Sequence, residues 1–342
     1  MLLAFNLRYV PIGILSRASE ILDARCSPRL SVLADAFSQR ERITAWRELV
    51  GRSIVNVDIE PLDAGRLRAE ATACLLPGLG LIFAYSDAHR CIHPRALIKD
   101  DDLSFMAVSA CRWTASLLGR HPTLGPGEGV LMSNADVGSM TLAASRFAAF
   151  AVPRAAIAAL VPDVGATIAR PIPANNPAFR LLLGYLATAN DVQGLITPEL
   201  QRLAVTHVYD LLALALGATR DAAATAKGRG VRAARLVAAK AFVRRHLHRS
   251  DLRAEAVATH LGVSPRYVHM LFEAEGLSFL EYVFAERIAR AHEVLRTDSD
   301  RTISAIAFAV GFSDLSHFNR TFRRRFGRTP TEVRADVAYD GL

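Results

Sequence analysis

Ile306-Ala307-Phe308-Ala309-Val310-Gly311-Phe312-Ser313-Asp314-Leu315-Ser316-His317-Phe318 decides how the last third of this 342-residue chain folds. A helix over 303–310 is stopped by Gly311, and a second is predicted to run from about Asp314 to Phe326. Glycine takes the left-handed conformation that ends a helix abruptly, so the second helix is set across the first. The same pattern lies upstream. Residues 252–261 form a short helix stopped by Gly262, Val263 follows, and Ser264-Pro265 opens the next helix. Serine accepts a bond from the free first-turn amides, and proline at the first helical position gives none up. Between the copies, 280–295 is long enough for a rigid connecting helix.

Spacing assigns a face to each second helix. In 264–272, Val268, Leu271 and Phe272 gather on the inward side, which leaves Arg266, His269 and Met270 together on the outside at i, i+3 and i+4. In 314–326, Leu315, Phe318 and Phe322 are expected inside, and Ser316, Asn319, Arg320 and Arg323 outside. Such an outward row suits base edges in a major groove, since Arg donates twice to guanine and Asn pairs with adenine. Arg324, Arg325 and Arg328 just beyond fit phosphate contacts that set register. A connecting helix could hold the two rows about one DNA turn, roughly 34 Å, apart.

The charge is distributed to match. Residues 227–334 carry 20 Lys and Arg against 11 Asp and Glu, a net +9. The remainder holds 21 against 22, so the whole basic excess of +8 lies in the last third. That asymmetry suggests a polyanion-binding module joined to a neutral one, with a solvated basic surface as the plain alternative.

The stretch 306–318 resembles the signature of the AraC/XylS transcription regulators, as does Phe322-Arg323-Arg324-Arg325-Phe326-Gly327-Arg328-Thr329-Pro330. Gly262-Val263-Ser264-Pro265-Arg266 and Leu271-Phe272-Glu273-Ala274-Glu275-Gly276 are similar to the family's first helix-turn-helix. The likeness covers roughly 232–334. It implies an all-α domain over 232–337 that binds adjacent major grooves of double-stranded promoter DNA, with RNA polymerase as a partner. Carried over by position, the base-facing residues are Arg266, His269, Met270, Ser316, Asn319 and Arg320, and Ser264, Arg323, Arg324, Arg325 and Arg328 meet the backbone. Two departures stand out. Val333 replaces a more usual aromatic that packs the last helix. Met270 stands where relatives place a polar group, to touch a thymine methyl or nothing.

The first two-thirds reads differently. Short β-forming segments at 54–59, 67–75, 79–85, 103–110, 130–133 and 147–152 are punctuated by Pro-Gly, Gly-Pro-Gly and Asp-rich turns, the mark of an antiparallel sandwich or small barrel. Residues 38–49 precede them as a helix with Ile43, Trp46 and Val50 in one stripe. Helices over 155–160, 179–189 and 198–216 follow. The expected class is therefore α+β, divided into an extension over 1–36, a β domain with flanking helices over 37–220, a linker over 221–231 and the helical domain. Lys227-Gly228-Arg229-Gly230 is the best linker candidate. Residues 1–15 are apolar like a signal peptide, but Arg8 and Pro11 interrupt them.

Residues 37–217 more loosely resemble the cupin-like, jelly-roll sensor of one branch of the same family. Gly125-Pro126-Gly127-Glu128-Gly129-Val130, Val152-Pro153-Arg154 and Asp210-Leu211-Leu212-Ala213-Leu214-Ala215-Leu216-Gly217 carry this likeness. It implies a small organic effector, frequently an aromatic acid in such relatives, together with transcriptional activation and a sensor that can also form a homodimer. It assigns no ligand-binding residue.

Other chemistry finds little purchase. Gly125 to Gly129 opens no helix and reads as a hairpin turn rather than a phosphate cradle. His89, Cys91 and His93 share one strand face, a conceivable zinc set against ordinary pocket or core residues; the His-x-His and Glu of a cupin enzyme are missing. Asp100-Asp101-Asp102 reads as a solvated turn, Trp46 and Trp113 as core anchors. With 22% charged and 51% apolar residues the chain is not disordered. It has no run of about 18 apolar residues to span a membrane. Its four cysteines, Cys26, Cys74, Cys91 and Cys111, form no CxxC pair and suit a reducing cytoplasm. The reading is a cytoplasmic transcription regulator, not an enzyme, with no cofactor and no metal. The alternatives are a cupin-type oxygenase with a DNA-binding tail and an effector-independent DNA-binding protein.

Overall fold

The computed structural model describes residues 29–33, 43–44, 46–48, 51, 56–63, 67–191, 197–298 and 301–340. The chain divides into two compact units, Met1–Val231 and Arg232–Leu342.

Among the described residues, twelve strands in two antiparallel sheets build the first unit. The strands are β1 (Arg29–Leu33), β2 (Asp58–Pro61), β3 (Ala69–Leu76), β4 (Leu79–Ser86), β5 (His89–His93), β6 (Leu103–Val108), β7 (Trp113–Leu117), β8 (Thr123–Leu124), β9 (Gly129–Ser133), β10 (Gly138–Leu142), β11 (Ser145–Val152) and β12 (Pro171–Ile172). One sheet has the order β1-β3-β4-β11-β6-β9-β12 and the other β2-β5-β10-β7-β8. One apolar core lies between them. Ala71, Ile82, Met106 and Val108 come from the first sheet, Ile59, Cys91, Trp113 and Met140 from the second, and Trp46 is buried with them. On β5 and β7 every second side chain is buried, the two-residue period of a strand with one face on a core.

Helices α1 (Arg154–Ala158), α2 (Val164–Thr167), α3 (Pro177–Asp191), α4 (Pro198–Leu216) and α5 (Arg220–Gly228) follow the strands. Strand β6 is buried along its whole length because α3 covers its second face, with the Phe179 ring edge-on to Phe105 at 5.5 Å. Gly129 sits beneath that pair, where a Cβ would lie 2.4 Å from the Phe105 ring. Thr197 caps α4 by accepting from Leu200 N, Pro198 enters its first turn, and Tyr209 on α4 donates to the Gly78 carbonyl in the β3–β4 turn.

Several expectations change. Residues 29–33, assigned to the loose extension, pair with β3 as an edge strand. The strand expected over 54–59 is β2, later by a few residues, and 52–55 lie outside the described residues. The turn at 125–129 joins β8 of one sheet to β9 of the other, so it is a crossing between sheets rather than a hairpin. Of the expected helix over 38–49, residues 43–44 and 46–48 are described and helical, and Val50 is not described. The stretch 221–231 is helical rather than an open linker. Thr219 caps α5, and the Arg229 guanidinium forks onto the buried Asp210 carboxylate at 2.8 and 3.0 Å. Gly230 is needed there because a Cβ would lie 2.7 Å from that of Asp210.

Among the described residues the regular elements of the second unit are all helices: α6 (Gly230–Arg245, which begins at the boundary), α7 (Ala254–Leu261), α8 (Pro265–Glu273), α9 (Phe279–Thr297), α10 (Ile303–Ala309), α11 (Leu315–Phe326) and α12 (Pro330–Asp340). It has two small cores that share α9. Phe279, Tyr282 and Val283 of α9 enter the first with α7 and α8, while Ile288, Ala291 and Leu295 enter the second with α10 and α11. A capping box starts α9: Ser278 accepts from Glu281 N, and the Glu281 carboxylate accepts from Ser278 N at 2.7 Å. Val333 is buried in the second core, so the smaller residue still packs α12.

Candidate nucleic-acid interface

Each half of the second unit presents its second helix through a local device. In the first, Gly262 ends α7 at φ 64°, Ser264 accepts from Tyr267 N, and Pro265 fills the first turn of α8. In the second, Gly311 stands at φ 93°, and the Asp314 carboxylate accepts from Ser316 N at 2.8 Å and His317 N at 3.3 Å. A charged cap at the positive end of the helix dipole fixes where α11 begins.

Burial of one face then decides what the other presents. Val268, Leu271 and Phe272 are buried on α8, and Phe318, Thr321 and Phe322 on α11. Leu315, expected inside, is instead 36% exposed, because the first residue of α11 projects beyond the packed stripe. His317 takes part of its place, edge-on to Phe284 at 4.8 Å and to Phe312 at 5.6 Å.

All eleven candidate contact residues are exposed: Ser264, Arg266, His269, Met270, Ser316, Asn319, Arg320, Arg323, Arg324, Arg325 and Arg328. His269 lies edge-on to the Phe279 ring, with centroids 6.3 Å apart. Arg266, Asn319 and Arg320 form no hydrogen bond or ion pair with other described residues, so their donors remain open to a ligand. Arg328 differs: its Nη2 donates to the Glu332 carbonyl, which holds it against the start of α12. Arg323, Arg324 and Arg325 crowd the last turn of α11, where the helix dipole favours cations.

One residue that spacing did not single out holds the two halves together. Arg287, in the middle of α9, is only 4% exposed. Its guanidinium donates to the carbonyls of Leu247 and Arg249 and lies over the rings of Phe284 and Phe312 at 5.8 and 6.0 Å. Burial pulls its pKa below the usual arginine range. These contacts tie the segment after α6, the connecting helix and the glycine turn of the second half to a single cation. An arginine on the apolar stripe of a helix was the available signal, since a cation on such a stripe needs buried acceptors.

In the β unit, His89, Cys91 and His93 do share one face of β5 and line a cavity between the sheets. They are not gathered as ligands. His93 sets one ring nitrogen against the Asn56 carbonyl and the other 2.8 Å from that of Asn134. Burial raises the Cys91 thiol to about 12, so it stays protonated. Among the described residues no three His, Cys, Asp or Glu side chains are grouped to hold a metal ion. Nor is any helix there long and apolar enough to cross a membrane.

Comparison with known proteins returns two families. Residues 46–217 match the AraC-binding-like domain and 257–336 a helix-turn-helix domain. The chain is 34% identical over 131 residues to the transcriptional activator RhrA of Rhizobium meliloti (strain 1021), a stretch that spans 38% of this chain and 40% of RhrA. It is 32% identical over 154 residues to the transcriptional activator NphR of Rhodococcus sp, spanning 44% of this chain and 45% of NphR. The chain thus matches less than half the length of each of these relatives. Among solved structures, the AraC-like transcriptional activator CuxR aligns over 78% of this chain and 96% of its own, at 20% identity and a TM-score of 0.47.

Proposed function

Because the chain belongs to the AraC family of transcription regulators, we propose that it is a sequence-specific DNA-binding regulator whose β unit answers to a small organic effector. The observation that carries this reading is the duplicated helix–glycine–helix plan. Each copy buries an apolar face and exposes a polar row, in the only basic part of the chain. Arg266, His269 and Met270 read one major groove, and Ser316, Asn319 and Arg320 the next. Ser264, Arg323, Arg324, Arg325 and Arg328 hold phosphates, so that position and sequence are read by different side chains. Residues 232–337 form the reader and 37–220 the sensor, which also pairs two copies.

The relatives RhrA and NphR are activators by name, which favours activation here, with RNA polymerase as the partner recruited at the promoter. A bound effector acts by differential affinity for the promoter-binding and silent arrangements. No catalytic step is assigned to the chain, and it works in the cytoplasm, beside its promoters.

Gel-shift titration with operator and random duplexes tests the assignment. Arg320→Ala should lower operator affinity about tenfold or more and random-DNA affinity little, since a bidentate base contact contributes about 1–3 kcal/mol. Arg324→Ala should weaken both alike and reduce the salt slope by about one. Equal losses on both duplexes with Arg320→Ala would demote Arg320 to a phosphate contact.

A further inference from the structure

The second unit has two small cores, and α9 runs through both. A shared helix fixes how far apart α8 and α11 stand. It holds their twist less firmly, because packed helices slide and roll against one another by small side-chain adjustments.

A second tie crosses between the halves beside α9. The Arg287 Nε donates to the Leu247 carbonyl at 3.1 Å, and its Nη2 donates to that of Arg249. Gly311 closes on the same point, where a Cβ would lie 2.1 Å from the Leu247 carbonyl oxygen. From this joint each reading helix is one contact away. Leu247 packs against the core that holds Val268 and Phe272 of α8. On the other side the guanidinium lies over Phe312 and Phe284. Phe312 stands edge-on to Phe318 of α11 with centroids 5.2 Å apart, and Phe284 edge-on to His317 at 4.8 Å. A planar fork on two carbonyls fixes an angle as well as a distance, which a point charge or an apolar contact does not.

We propose that Arg287 is a positioning residue for operator reading. By locking 247–249 to the aromatic seat of α11, it sets the twist between the two outward rows. The reader then accepts half-sites at one helical phase and rejects those displaced by a single base pair. Such a displacement turns a half-site by about 35° and moves it by about 3.4 Å along the duplex. The inference rests on reading this unit as one that occupies two adjacent grooves. It adds a penalty for wrong phase that the connecting helix alone does not supply.

The probe is the duplex that the unaltered full chain selects from a random-sequence pool. It is compared with a version carrying one base pair inserted between the half-sites, a version with one half-site scrambled, and random DNA. Gel-shift titration gives each affinity. For the unaltered chain the insertion should cost about tenfold or more, close to the loss on scrambling, because one row of base contacts is then out of reach. Arg287→Lys keeps the charge and loses the fork, so the insertion penalty should fall below about threefold. Its affinity for random DNA should stay within about twofold, since the phosphate contacts are untouched. Arg287→Met should behave alike. Partial unfolding cannot imitate this result, because it weakens binding to every duplex in the same proportion. Should neither variant fold, Phe284→Leu loosens the joint from its aromatic side and is read in the same way.

An insertion penalty unchanged in a folded variant, a uniform loss on every duplex, or an unaltered chain that tolerates the insertion each overturns the proposal and leaves the regulator reading standing. An unaltered chain that selects no duplex over random DNA overturns the regulator reading itself, and the proposal with it.

Discussion

The two helix–glycine–helix units close their first helices with the same hydrogen bonds and under different constraints. Val263 N reaches the Ala258 carbonyl at 3.0 Å, and Phe312 N reaches that of Ala307 at 3.0 Å. Both bonds run from the residue after the glycine back across the last turn, the Schellman arrangement, with the glycine at positive φ. The surroundings part company. A Cβ on Gly262 would meet nothing within 4 Å, whereas on Gly311 it would lie 2.1 Å from the Leu247 carbonyl oxygen and 2.9 Å from the Arg287 guanidinium. Glycine in the first unit is a requirement of conformation alone. In the second it is one of conformation and space, because that turn is packed against the Arg287 seat. Rigidity in the reader is therefore concentrated where its halves meet.

Gly311→Ala should break the molecule hardest. The new methyl meets backbone rather than a side-chain end that could swing away, and φ stays positive. A loss of about 4 kcal/mol or more is expected in chemical unfolding of the full chain, the range of severe single substitutions. A loss below about 1.5 kcal/mol would mean that the turn relaxes freely, and the contrast between the units would dissolve.

Arg287→Met comes next. The substitution keeps an apolar stem on α9 but leaves the Leu247 and Arg249 carbonyls without their charged donor. Hydrogen bonds to charged groups contribute about 1.5–3 kcal/mol, offset in part by relief of a buried cation, so a net loss of about 2 kcal/mol is expected. The unfolding midpoint measures it. A neutral or stabilising result would make the seat replaceable by plain packing and move the origin of the Gly311 constraint to Leu247 alone.

What could be read beforehand follows the reach of each interaction. Gly262, Ser264, Pro265 and Gly311 act within a few residues, and the helix faces follow from spacing, so the exposed rows were legible. Leu315 misled because a stripe drawn by period ignores the first residue after a cap. Arg287 shows in the sequence only as a cation on an apolar stripe, and what it holds was not legible because its acceptors lie 38 and 40 residues away. In the β unit, the strands at 113–117 and 138–142 are rich in Ala, Gly, Ser and Thr, so only pairing across the sheet reveals them. The expected linker at 221–231 is Ala-rich, a composition that forms helix once Thr219 caps it. The glycine in its Gly230 position answers to Asp210, about 20 residues upstream.

Gly262→Ala should have the smallest effect, and it is the sharpest test of the contrast. With open space around the new methyl, the only cost is holding alanine in the left-handed region, about 1–2 kcal/mol. Asparagine tolerates that region better, so Gly262→Asn should recover part of the loss. Operator affinity of the folded protein should stay within about twofold, because Ser264 and Pro265 still set the start of α8. A cost near that of Gly311→Ala would show that an unseen constraint surrounds the first turn, and the two units would then be equivalent after all. A cost with no recovery in Gly262→Asn would trace the effect to the missing glycine backbone rather than to the sign of φ.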